Sequence, residues 1–114
     1  MPAKTAIITH KAILFPINKR YRNNMSPGEL YEATRNAWHL KPKKRDQAEF
    51  AMAVRKKIIF EVYKIKEWHE AKTNNSKWEF EGEVATVDVR DKYIDLYVPD
   101  SLRSYGTVRY ANIL

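Results

Sequence analysis

The 114 residues contain no cysteine, which excludes a disulfide framework, a thiolate zinc site and a cysteine nucleophile. Histidine is scarce. His10, His39 and His69 stand far apart without metal-ligand spacing, so no metal and no other cofactor is expected. No apolar run approaches the roughly 20 residues of a membrane-spanning helix, and the chain opens without an apolar leader and small-residue cleavage site. The expectation is a cytoplasmic protein with no membrane partner. Repeats, low-complexity tracts and linkers are missing too, which predicts one domain over 1–114.

What the chain does have is positive charge, unevenly spread. The net charge is +7, but residues 1–66 carry 15 Lys+Arg against 5 Asp+Glu, and residues 67–114 carry 6 against 9. An excess confined to one half predicts a patch that attracts polyanions, whereas scattered charge would mainly aid solubility. The cations fall into three clusters: Lys19, Arg20 and Arg22; Lys41, Lys43, Lys44 and Arg45; Arg55, Lys56 and Lys57. Each falls in a predicted loop or turn, where side chains are free to meet phosphates.

A composition of 44% hydrophobic and 31% charged residues is that of a folded globular domain. Residues 5–17, "TAIITHKAILFPI", read as a first strand ending near Pro16. Ser26, Pro27 and Glu29 are placed as N-cap, first helical residue and capping-box partner of a helix over 27–38. Leu30, Ala33, Thr34, Ala37 and Trp38 lie on its core face. "HLKPKKRDQ" is a basic connector. Phe50, Met52 and Val54 alternate with small residues, and Arg55–Lys57 form the turn of a hairpin into "IIFEVYKIKEW", a run with no uniformly apolar face. Residues 69–77 read as a long polar loop before the strand "WEFEGEVA". "VDVRDKYI" suits a short helix and "TVRYANIL" a last strand. The resulting class is α+β: about five to six strands, a main helix after the first strand and a second short helix, arranged as a small mixed barrel.

The stretches "MSPGELYEATRNAW", "AEFAMAVRKKIIFEVYKIKEW", "WEFEGEVA" and "VRDKYI" resemble a family of small bacterial and phage domains, some found beside restriction-type nucleases. Its strand order is similar to that of the PUA-like barrels, which include the EVE, ASCH and YTH groups. The resemblance implies a compact barrel whose pocket accepts RNA or a modified base turned out of its stack.

Base recognition needs ring faces for stacking and cations for phosphates. Trp38, Trp68 and Tyr21 are the expected pocket rings, with Trp78, Tyr31 and Tyr63 as further candidates, and mid-helix Arg35 is a candidate for a phosphate or a ring face, with a pair to Glu32 or Glu29 as its alternative. The competing role for each tryptophan is core packing. The resulting expectation is a nucleic-acid-binding module for DNA or RNA, recognising a modified or flipped-out base. Two alternatives stand beside it. One is a small hydrolase of modified nucleosides like the ASCH type, with Lys11, Thr9 and Glu83 cast in the lysine, hydroxyl and glutamate roles. The other is a phage or plasmid protein whose basic face binds a host factor or a separately encoded nuclease.

Overall fold

The computed structural model describes residues 4–72 and 74–114. Local signals set the first helix. Ser26 Oγ accepts from Glu29 N–H at 3.1 Å and Glu29 Oε1 accepts from Ser26 N–H at 3.0 Å, so the capping box closes both ways around α1, Pro27–Arg35. Its predicted continuation to residue 38 does not occur, because the chain turns extended at Asn36 and Trp38 pairs with Trp78 in an antiparallel bridge. The basic connector holds one short helical turn, α2, Pro42–Arg45.

The strands are β1 Ala12–Pro16, β2 Phe50–Arg55, β3 Ile58–Ala71, β4 Asn74–Val84 and β5 Arg109–Ala111. They form one mixed sheet in the order β4-β3-β2-β1-β5, parallel only between β1 and β2. This corrects the expected barrel: the sheet is open, with β4 and β5 at opposite edges. The closing edge of β4 is already occupied. Trp78 exchanges two backbone hydrogen bonds with Trp38 (2.9 and 2.8 Å), Phe80 O accepts from Arg35 Nε at 2.9 Å, and Gly82 N–H donates to the Tyr31 hydroxyl at 2.9 Å. Edge groups satisfied by α1 and its tail have nothing left to offer a fifth strand. The first strand is also shorter than expected. Thr5 and its neighbours pair instead with Tyr97, on the far side of a bend at His10.

Both faces of the sheet are covered. Ile13, Phe15, Ala51, Ala53, Tyr63 and Phe80 face α1 and Trp38, while Leu14, Phe50, Met52, Ile59 and Val62 face α3, Val87–Tyr93, and the 94–102 segment with its 3-10 turn, Asp100–Leu102. The mixed character of "IIFEVYKIKEW" follows from two bulges. Register shifts opposite Ala53/Val54 and between Ile65 and Glu67 move Ile59 to the face of Val62 and carry Phe60, Tyr63, Ile65 and Trp68 together on the other. The polar segment 69–77 is mostly strand, since β3 runs to Ala71 and β4 begins at Asn74; residue 73 of that predicted loop lies outside the described residues. Among the described residues no helix is long and apolar enough to cross a membrane.

Candidate nucleic-acid interface

The largest hollow lies where the segment after α1 faces the stretch leading into β5. Leaving α1, the chain carries Trp38 into the core, 8% exposed, with Nε1 donating to Thr34 O at 2.7 Å. His39 and Lys41 are exposed on the way to α2. On the opposite wall, the Tyr110 hydroxyl accepts from Lys41 N–H at 3.1 Å, and Lys44 Nζ lies 5.1 Å from the centre of the Tyr110 ring. Between the walls is a groove of about 910 Å³ whose lining includes Arg20, Lys41, Lys44, Lys77 and Arg109 and not one aspartate or glutamate. Five cations from four separate stretches of chain meet there, with no counter-ion among the described residues of the lining. Like-signed lining in a recessed wall focuses the field toward an anion. A second hollow of about 890 Å³ follows α1 but is more open and mixes Arg20 and Arg22 with Glu29 and Glu32.

Of the residues singled out in the sequence, Arg20, Trp38, Lys41 and Lys44 line the groove. Others are tied elsewhere. Arg20 itself donates to Ala33 O (3.0 Å) and Ala37 O (3.2 Å), satisfying carbonyls left open at and beyond the end of α1. Burial pulls its pKa below the usual arginine value, yet a guanidinium stays charged at neutral pH. Arg22 pairs with Glu29 at 2.9 Å on an exposed surface. Arg35 sits 3.4 Å from Glu32 and 3.8 Å from Glu79; burial works against its charge, and these carboxylates outweigh that, so its proton is held more tightly than usual. Arg45 bonds Asp46 at 2.9 Å and lies 4.1 Å over Trp78, with Nη1 buried and unpartnered. Arg55 lies 4.3 Å over Tyr21, whose ring also meets Phe60 edge-on at 5.3 Å. Lys56 and Lys57 take left-handed φ values of 50° and 68° in the β2–β3 turn, away from the groove lining, and Lys56 N–H donates to Asn18 Oδ1 at 2.8 Å. Lys19 and Lys43 are exposed and do not line it. Trp68 is half-buried, edge-on to Phe80 at 5.8 Å.

Tyr21 and Trp68 therefore do not join Trp38 in a common pocket. Conversely, Lys77, Arg109 and Tyr110 were not among the expected residues. Lys77 and Arg109 are single cations in stretches of net negative or neutral character, and only the Trp38–Trp78 bridge and the β1–β5 pairing carry them to the groove. No local pattern marks them.

The hydrolase trio is not assembled. In register, Glu83 lies opposite Lys64, Lys64 opposite Phe50, and Phe50 opposite Ala12. Three strand spacings, about 14 Å, thus separate Glu83 from the start of β1 beside Lys11. Glu83 pairs with Lys66 at 3.2 Å, and Thr9 hydrogen-bonds the Tyr93 hydroxyl.

One constellation was invisible as spacing. The bulge after Ile65 sets Glu67 opposite Glu81, and His69 Nε2 lies 3.1 Å from Glu67 Oε1 and 3.2 Å from Glu81 Oε2. This exposed trio offers one nitrogen and two oxygens within 4.8 Å of one another, a donor set that a divalent transition metal accepts. Without metal, the hydrogen bond to Glu81 raises the His69 pKa; desolvation opposes it, and the charge of Glu67 adds to the rise. The folded pKa being raised, the contribution to stability is complete below the unfolded value of about 6.5 and is lost as pH rises through the folded value. In an NMR titration the His69 ring protons should turn over above the midpoint of an unfolded control, and Glu81→Gln should move the midpoint down. Coincident midpoints would remove this interaction.

No family model matches the chain, and neither a curated protein nor a solved structure does.

Proposed function

We propose that this protein is a nucleic-acid-binding module that holds phosphates in the groove between the post-α1 segment and β5. The observation that carries the proposal is the all-positive lining. Arg20, Lys41, Lys44, Lys77 and Arg109 converge with no carboxylate among the lining residues, whereas elsewhere Arg22, Arg35, Arg45, Arg90 and Arg103 each have an acidic partner. A phosphate chain supplies the missing counter-charge and releases its own condensed cations, so binding gains entropy and depends on salt. The proposal rests on the groove; it does not need the closure that the resemblance to PUA-like barrels implied.

Fluorescence anisotropy with a labelled oligonucleotide tests it. With about four phosphates neutralised on a single strand, log affinity should fall against log salt with a slope of about −3, or roughly 50-fold between 50 and 200 mM. The double reversal Lys41→Glu with Lys44→Glu should weaken binding at least about 30-fold and flatten that slope by about 1.4. Neither side chain bears a structural ion pair among the described residues, so the fold should persist. Arg22→Ala, on the other hollow, should change little. Full affinity in the double variant with a loss in Arg22→Ala would move the site to the α1 hollow; no binding at low salt would favour a protein partner for the basic face.

A further inference from the structure

A protein reads or grips a base by stacking it on a ring that has a free face. At the groove the faces of the large rings are taken, and the exposed ring in the lining is the small imidazole of His39. Trp38 carries Arg20 at 3.9 Å and packs against Phe15 at 5.0 Å, leaving 8% of the residue exposed. Tyr110 carries Lys44 at 5.1 Å, and its hydroxyl already accepts from the Lys41 backbone. Trp78, next to Lys77, lies under Arg45 at 4.1 Å. The side chains that match adenine and cytosine edges are also missing: no Asn, Gln, Asp or Glu lines the groove. Apart from His39 and the hydroxyls of Ser101 and Thr107, which serve any base alike, the accessible side chains that could hold a strand are cationic.

The depth of those cations bears on strand number. Lys41 and Arg109 are exposed, whereas Arg20, Lys44 and Lys77 are half-buried. A duplex is stiff over about 50 nm and meets the rim of a recess rather than its walls. A single strand is flexible enough to bend its phosphates inward to the half-buried set.

Resting on the nucleic-acid proposal above, we infer that the groove holds the sugar–phosphate backbone of one strand and leaves its bases outside, unread. Affinity then depends on charge and flexibility, not on base identity. Such a module serves as a sequence-blind strand holder.

The test compares four labelled probes of about 12 nucleotides, within the span of known single-strand sites: oligothymidine, oligodeoxyadenosine, an abasic strand with the same backbone, and a duplex. The abasic strand should bind within about threefold of oligothymidine, because even one lost stacking contact would cost at least about fivefold. Thymidine and adenosine strands should agree within the same margin, and the duplex should bind at least about tenfold more weakly. Binding of oligothymidine without the abasic strand, or a tenfold preference between the two homopolymers, overturns the inference and leaves the nucleic-acid proposal standing. A duplex bound as tightly as the single strands overturns the one-strand part. Silence from all four at low salt overturns both.

Discussion

Gly82→Ala should destabilise the protein by about 3 kcal/mol, the upper end of overpacking costs, and lower its melting temperature by about 12 °C. Gly82 lies on β4 opposite Ile65, beside the bulge in β3. A Cβ built there would sit 2.1 Å from the carbonyl oxygen of Lys64, 3.1 Å from its carbon and 3.4 Å from Ile65 Cα. All three are backbone atoms of a paired strand, so no rotamer change relieves the clash and β3 must separate from β4. Separation is resisted on the outer side, where Gly82 N–H bonds the Tyr31 hydroxyl at 2.9 Å and ties the strand to α1. Glycine is required here by the close approach of two backbones, not by a left-handed φ. Thermal and urea melts followed by circular dichroism measure the effect. Alanine at Gly28, whose Cβ would meet only Ser26 Oγ at 3.9 Å, is the matched control and should stay near wild type. A loss below about 1 kcal/mol for Gly82→Ala would mean that the bulge yields without strain.

The second large effect is expected from Trp38→Ala, at about 3–5 kcal/mol. The ring fills space against Phe15, its Nε1 donates to Thr34 O at 2.7 Å, and its other face supports Arg20, which in turn holds the Ala33 and Ala37 carbonyls. Truncation leaves a cavity, an unpaired buried carbonyl and a loosened guanidinium in one step. Trp38→Phe keeps most of the volume and loses the hydrogen bond, so its cost should be about 1–2 kcal/mol. Strand binding should weaken in Trp38→Ala only as far as Arg20 is displaced, and equally for thymidine and abasic probes. A variant with unchanged melting that loses thymidine strands selectively would make the ring a stacking platform and contradict the core role.

How far the chain could be read in advance follows the range of the interactions involved. The capping box at Ser26 and Glu29 was legible because its partners are three residues apart. The β2–β3 hairpin was legible from alternation, even though its two turn residues are lysines with positive φ. The helix end was misplaced by three residues because Trp38 has the right spacing for a helix face but a stronger partner in Trp78. Barrel closure was expected from strand count, and a count says nothing of what occupies an edge.

The charged residues divide the same way. Sequence determined that the protein is basic, that its cations crowd the first 66 residues, and that α1 starts at Pro27, since charge sums and caps depend on composition and on neighbours within a turn. Tertiary structure alone decided which cations are committed and which are open. The acceptors of Arg20 and Arg35 lie 13 and 45 residues away along the chain, and Lys77 and Arg109 reach the groove only through strand pairings made across the sheet. A guanidinium is neutralised or left available by what stands within a few ångströms of it, and that neighbourhood is a property of the fold.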